Sequence, residues 1–429
     1  MIAFLPLLLL AAPDIQAPLP ASGEMRGLWV VRTALVSPPS VDRVVDEAQR
    51  AGFNALFVQV RGRGDAFYRS ELVPRSDILD AQPLGFDPLA RLIERARSRG
   101  LQVHAWMNML LCAGFGRILP ARHVAALHPD WIMVPRGAAR AALAAPSDSL
   151  IALVARHSSA DAEGLYLSPS EPQVGDHLNA VVRELLRAYA VDGLHLDFIR
   201  YPGTEYDYSR AALDGFAARG GSGIDRLDGP ERAPAEWAHY RRDVLTALVD
   251  RLSRSARVER PRLLVSAAVA ADEAQAVAMK FQSWPEWISR GSIDAVCPMA
   301  YSADSRIFQG QIRDAREHAG PNRSVWAGVG AYRLDVEGVI EKIRLARSAG
   351  ATGVVIFSHE SLRAMDLDRL RQGAFPPAAA SRRETPATMG GDPAVRQDAP
   401  SLSKGVLRRT PLNPRSLRAS ESRFARSFR

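Results

Sequence analysis

The chain has 429 residues, 47% of them hydrophobic, and a formal charge of +8. From Pro376 onward 11 Lys and Arg stand against 4 Asp and Glu, so +7 of that charge belongs to a tail and the preceding 375 residues are nearly neutral. That distribution argues against a phosphate-binding, nucleic-acid-directed fold, and the length suits one large domain or two smaller ones.

In chain order, "MIAFLPLLLLAA" comes first, an apolar run ahead of Pro13. It is too short to span a bilayer and has the length of a signal-peptide core, with Ala11, Ala12 and Ala17 as small residues for cleavage. Residues 1–20 therefore read as a leader, and export to the periplasm or cell envelope is expected. Nothing further along reads as a transmembrane anchor, and no cysteine near the start offers a lipid anchor. Apolar runs of strand length then recur: "EMRGLWVV" (24–31), "NALFVQV" (54–60), "LQVHAWMN" (101–108), "GLHLDFI" (193–199), "RLLVSAAV" (262–269), "DAVCPMAY" (294–301), "SVWAGVG" (324–330) and "GVVIFSH" (353–359). Amphipathic stretches lie between them, among them "VDRVVDEAQRAG", "DPLARLIERARSRG", "DHLNAVVRELLRAYA" and "VEGVIEKIRLARSAG".

Eight strands alternating with helices predict an α/β fold, a (β/α)8 barrel of the TIM type, over residues 21–375. A doubly wound open sheet is the alternative, but no G-x-G-x-x-G follows the first strand. About 85 residues separate the third and fourth strands and about 60 the fourth and fifth, so both spans carry long insertions, which a barrel places on its C-terminal face. Residues 376–429 read as a basic, Pro/Ser/Arg-rich disordered tail suited to contact with an anionic wall surface. Cys112 and Cys297 sit in or beside apolar runs and read as buried free thiols.

The segment "VDGLHLDFIRYP" (191–202) has the rhythm of a buried strand yet carries Asp192, His195, Asp197 and Arg200. Strand parity sends Leu194, Leu196 and Phe198 to one face and His195 and Asp197 to the other, toward the lumen. The same parity points His104, Trp106 and Asn108 inward, puts Gln59 and Arg61 together, and aligns Cys297, Met299 and Tyr301. Asp197, at a strand's C-terminal end, is a candidate catalytic carboxylate, and His195, one pleat deeper, is an orienting partner or a proton carrier. Arg200 and Tyr201 shape the pocket, and Arg61, Asp65, Tyr68 and Ser70 line the rim after the second strand. The Arg-Gly-Asp triplet there is incidental to a barrel loop. A second carboxylate is expected from Asp272 or Glu273, either of which could instead cap the next helix. Trp284 and Trp287 suit sugar stacking or helix packing equally. His104, His195, Asp197 and His359 could converge on a metal, but there is no H-E-x-x-H or H-x-H pattern, and His104, His195 and His359 are expected instead as hydrogen-bonding contacts to the substrate. No phosphate loop or G-x-S-x-G elbow is present, and no cofactor is expected.

Eight ordered segments, "MRGLWV", "NALFVQVRGRGDAFYRSEL", "HAWMN", "LYLSPSEPQV", "VDGLHLDFIRYP", "QSWPEW", "VCPMAYS" and "GVVIFSHESL", resemble the bacterial glycosyl-hydrolase-like family 10 from about Glu24 to Phe375. The resemblance implies an exported (β/α)8 glycoside hydrolase whose relatives cut the glycan strands of peptidoglycan after the stem peptides are removed. Its D-G-[IVL]-H-x-D motif falls on Asp192 to Asp197, which carries the acidic active-site residue onto Asp197 with His195 beside it. Its V-R-x-x-G-D-A-x-Y motif matches Val60 to Tyr68, and the polar segment after strand five carries over to Asp272 and Glu273. Where many relatives have D-P-G this chain has Ser168, Pro169 and Ser170. The expectation is a glycosidase acting on peptidoglycan-type glycan by carboxylate acid/base chemistry. Trp106, Asn108 and Tyr301 join Tyr68 in holding sugars. A non-catalytic glycan-binding barrel and a metal-dependent polysaccharide deacetylase are the alternatives.

Overall fold

The computed structural model of the chain describes residues 23–159, 162–220, 226–362 and 365–376. The leader and, beyond Pro376, the basic tail lie outside the described residues. Among the described residues ten strands are formed: β1 (Met25–Val30), β2 (Ala55–Arg61), β3 (Gln102–Asn108), β4 (Leu111–Ala113), β5 (Leu165–Tyr166), β6 (Gly193–Asp197), β7 (Leu264–Val269), β8 (Ala295–Pro298), β9 (Ser324–Gly330) and β10 (Gly353–Phe357). Eight of them close a barrel in the order β1-β10-β9-β8-β7-β6-β3-β2, every seam parallel. Helices such as Pro38–Ala51, Pro172–Ala188 and Val336–Ser348 cover it outside. This is the (β/α)8 architecture that the strand count implied. No described helix is long and apolar enough to cross a membrane.

Two strands end earlier than their apolar runs. At β6 the chain turns at Phe198, whose φ of 48° is left-handed, so the pleat stops at Asp197. At β8 it stops at Pro298, which has no N–H for the ladder, so Tyr301 belongs to the loop beyond. The long insertion after β3 builds its own antiparallel pair, β4 with β5, and the Cys112 thiol on β4 donates to the Leu165 carbonyl at 3.3 Å. Both cysteines are free and buried.

The floor of the barrel is closed by a repeated device. Asn54, Asp192, Asp294 and Thr352 each precede an alternate strand. Their side-chain oxygens accept the backbone N–H of Arg26, Val103, Val265 and Val325, at 2.8, 2.8, 2.8 and 3.0 Å. Their own N–H groups donate to the carbonyls of those same four residues, and their carbonyls accept from Gln102, Leu264, Ser324 and Met25 on the other side. Four residues thus pin all eight seams, which accounts for Asp192 in a strand that otherwise reads as core. Asp192→Ala leaves the Val103 N–H without its acceptor and should cost about 1–3 kcal/mol, read as a lower denaturant midpoint at unchanged slope. An unaltered midpoint would refute the pin.

Candidate active site

Asp197 sits at the C-terminal tip of β6, on the lumenal face, with 8% of its side chain still exposed. Oδ2 accepts from the Trp106 indole N–H at 2.9 Å. Oδ1 accepts from the Phe198 backbone N–H at 2.6 Å and from Arg200 at 3.4 Å. The left-handed turn at Phe198 aims that N–H back at the carboxylate. It also sets the Phe198 ring under the Arg200 guanidinium, 4.1 Å from its centre. Burial raises the Asp197 carboxyl above the ordinary carboxylate value, with Arg200 and the two N–H donors opposing.

The carboxylate brought closest to Asp197 through a shared Arg200 is that of Glu163. It comes from the insertion after β3, immediately before β5, and no pattern in the strands announces it. Arg200 reaches it at 3.5 Å with the other arm of the fork, and the Tyr166 hydroxyl donates to it at 2.5 Å. Its charge adds to the upward shift at Asp197. Gly164 makes this approach feasible: its φ is 156°, and a Cβ there would collide with the Ala113 carbonyl. A sequence clue did exist, since Glu163 stands two residues ahead of the "LYLSP" segment.

Asp272 and Glu273 are placed elsewhere. Asp272 caps the helix Glu273–Met279 by accepting the Gln275 N–H at 2.9 Å, the capping alternative. Glu273 pairs with His318 at 3.0 Å on the helical layer. A short polar loop ahead of a helix satisfies its own N-terminus first, and that turned both groups from the mouth.

Facing the carboxylates is an aromatic wall. Tyr301 lies close enough to Asp197 for that charge to raise its phenol, after burial has done most of the raising. Its ring is 5.8 Å from Phe357 and 6.1 Å from Tyr332, and Trp29 lies beneath, 6.5 Å from Tyr301. Such a surface suits the apolar face of a sugar ring. Tyr332 and Phe357 were not singled out from sequence, because each looks like ordinary strand or turn packing.

The other expected contacts divide sharply by depth. Trp106, Arg200 and Tyr301 meet at Asp197. Asn108 is beside it in register but locked, donating to the Gly62 carbonyl at 2.8 Å and accepting from Gln59 at 3.4 Å. His195 is one layer down and fully buried. The Trp29 indole N–H donates to its Nε2 at 3.1 Å, so Nδ1 holds the proton and donates to Ser266 Oγ at 2.9 Å. Burial pushes its pKa down to about 3, with His104 adding to the drop, so it is a neutral strut and not a substrate contact. His104 lies a further layer below, opposite Gly193 and stacked on Phe57 at 4.5 Å, its pKa pushed down to about 3 by burial. A Cβ at Gly193 would strike that imidazole.

Arg61 is fully buried, donating to the carbonyls of Asn108 and Met109, with Nε and one terminal nitrogen lacking a partner among the described residues. Tyr68 is buried edge-on against Tyr189 at 5.7 Å. Asp65 clamps its own loop, accepting from the Arg63 N–H at 2.7 Å and Ser76 Oγ at 2.6 Å, and Ser70 Oγ donates to Glu184. These rim assignments are therefore corrected to scaffold: the loop after β2 folds inward through the bridges Arg61–Ala66 and Ala66–Arg75. Tyr201 is fully buried against Phe281 at 5.1 Å, and His359 faces outward to Glu47 at 2.7 Å. The three histidines so occupy two interior layers and the outer shell, which separates the ligands considered for a metal. Trp284 and Trp287 are buried in helix packing, Trp287 donating to Thr246 Oγ1 at 2.9 Å.

The family described as Glycosyl hydrolase-like 10 matches residues 24–323. The chain belongs to that family. Among curated relatives it is 25% identical over 319 residues to "Glycosyl hydrolase YngK" of Bacillus subtilis, covering 65% of this chain and 54% of that protein. It is 23% identical to "Glycosyl hydrolase DigH" of Escherichia coli K12 over 67% of each chain. The chain thus spans about half the length of YngK. Among solved structures, the PgaB (BpsB) glycoside hydrolase domain from Bordetella bronchiseptica superposes with a TM-score of 0.63 at 16% identity, covering 82% of this chain and all of that one. Alpha-L-fucosidase isoenzyme 2 from Paenibacillus thiaminolyticus gives 0.56 over 82% of this chain and 48% of that one, also at 16% identity. At such identities the two structures establish the shared barrel and nothing finer.

Proposed function

We propose that this protein is a glycoside hydrolase acting on β-linked amino-sugar strands, the peptidoglycan glycan of the bacterial wall, with Asp197 and Glu163 as its acid/base pair. One observation carries the reading. Two carboxylates, from β6 and from a loop 34 residues earlier, are gathered by a single guanidinium at the barrel mouth, opposite an aromatic wall. Glycoside hydrolysis needs one carboxyl that gives a proton to the leaving oxygen and one carboxylate that attacks or activates water. Asp197 suits the acid: burial favours its protonated form, and Oδ2, with one contact against two at Oδ1, has room for the proton. Glu163, taking the hydroxyl of Tyr166 and one arm of Arg200, is the carboxylate that attacks or activates water. Trp106 and Arg200 hold Asp197 in place, and Arg200 keeps the two acids from repelling one another. The names of YngK and DigH as glycosyl hydrolases support the activity. The peptidoglycan substrate rests on the sequence resemblance, and the apolar leader supports export to the envelope.

The second carboxylate favours turnover over a non-catalytic glycan-binding barrel, which needs no acid facing Asp197. The scattered histidines give the metal-dependent deacetylase no support from geometry. The test is incubation of the full chain with peptide-free wall glycan, followed by mass analysis of the products. New reducing ends and shortened oligosaccharides are expected; loss of acetyl groups without chain shortening would replace this reading with the deacetylase.

A further inference from the structure

We propose that Arg32, with Arg63 beside it, forms a subsite for a carboxylate carried on the glycan, on the β1–β2 side of the mouth. The proposal rests on the hydrolytic reading above only for where the glycan lies. Arg32 follows β1 at its C-terminal end and reaches across to β2, where it donates to the neutral Gln59 side-chain oxygen from the backbone at 3.3 Å and from the guanidinium at 3.0 Å. Its stem occupies space left open by Gly62, where a Cβ would stand 2.6 Å from Arg32 Cδ. It makes no ion pair among the described residues. The acids that feel its charge are engaged elsewhere: Asp65 in its own loop, Asp77 with Arg117 at 2.5 Å, and Glu360 with Thr33 at 2.6 Å.

Arg32 is near enough to disfavour the charge on Arg63, Arg117 disfavours both, and burial disfavours both more strongly. A partly buried Arg32 guanidinium, held among the described residues by an amide oxygen and set near other cations, is an arrangement that an anion would relieve. A planar fork is the group that takes a carboxylate in two parallel hydrogen bonds. The position fits a neighbouring sugar and not the one being cut. Arg32 and Asp197 stand three seams apart along the rim (β1, β2, β3, β6), on the order of 14 Å at the usual strand spacing. Arg63 also feels Tyr166, whose hydroxyl holds Glu163, so the cations and the acids form one continuous arc.

Two sources supply such a group: the lactyl ether of muramic acid, whose carboxylate is bare once stem peptides are gone, and a uronic acid alternating with an amino sugar. The experiment measures binding to the full chain carrying Asp197→Asn, which slows turnover. The ligands are peptide-free wall oligosaccharides, the same oligosaccharides with carboxylates converted to methylamides, hyaluronan oligosaccharides, and neutral chitin oligosaccharides. At least one carboxylated ligand should bind 10- to 100-fold tighter than neutral ligands, with amidation abolishing the preference in the wall series. Adding Arg32→Gln should remove the preference while leaving affinity for neutral ligands intact, and Arg32→Lys should keep part of it. A preference confined to hyaluronan assigns the subsite to a uronic acid, and one confined to wall glycan assigns it to muramic acid. Equal affinity for charged and neutral ligands, or an Arg32→Gln loss of the same factor on both, overturns the subsite. If the unsubstituted protein cuts none of the glycans yet the Arg32-dependent preference persists, the hydrolytic reading fails and the subsite stands.

Discussion

Asp197→Asn should fold like the parent protein and lose about 10²–10⁴-fold in kcat/KM on wall glycan. The amide keeps the shape and, with its oxygen at the Oδ1 position, the Phe198 and Arg200 contacts, but its NH2 cannot accept from Trp106 and it cannot deliver a proton. The role is checked by the leaving group. An aryl glycoside with an acidic phenol needs little protonation, so the substituted enzyme should recover most of its first glycosidic cleavage step on that substrate. The pH dependence has a definite sign. An acid whose pKa is raised in the folded site works while protonated, so the activity of the parent enzyme should fall as pH rises through that elevated value. The alkaline limb should therefore lie above the ordinary carboxylate range, and Asp197→Asn should lose that limb. Equal turnover by the parent and substituted enzymes would end the assignment. Equal losses on the natural and aryl substrates would move Asp197 from proton donor to nucleophile or stabiliser.

Glu163→Gln should produce a comparable loss on glycan, about 10²–10⁴-fold, with no relief from a better leaving group. The substitution leaves an acceptor for Tyr166 and removes the charge that Arg200 shares. It also removes a like charge beside Asp197, so the alkaline limb belonging to Asp197 should move to lower pH. A structural Glu163 would leave that limb in place. Asp272→Asn and Glu273→Gln serve as the contrast, because each acts on a helix start or a surface pair and should leave kcat/KM near the parent value.

The barrel was legible because each strand carries a continuous or alternating apolar run, and eight such runs with intervening amphipathic helices leave few architectures. Asp197 was legible for a local reason: a strand with one apolar face shows its chemistry on the other. Glu163 was not, because nothing in its own segment has period two or 3.6; it reaches the site through a pairing of β4 with β5 that depends on Gly164 clearing Ala113. His104 and His195 show a different limit. Parity correctly turned both inward, but it does not give height, and in a filled barrel the lower lumenal layers are core. The rim after β2 failed because Asp65 and Tyr68 serve a loop that folds back on itself, closed by Ser76 within the same loop and packed on Tyr189 far along the chain.

The four pins of the floor bear on how such a chain can change over time. Closure depends on Asn54, Asp192, Asp294 and Thr352, all at one end, whereas recognition is assembled from loops at the other. Lengthening a loop above the rim, as the insertion after β3 that carries β4 and β5 does, leaves every pin in place. The short span from Asp192 to Asp197 joins the two regimes, a mason's tie at one end and a reactive tip at the other. New specificities can therefore be grafted at the mouth while the foundation stays untouched.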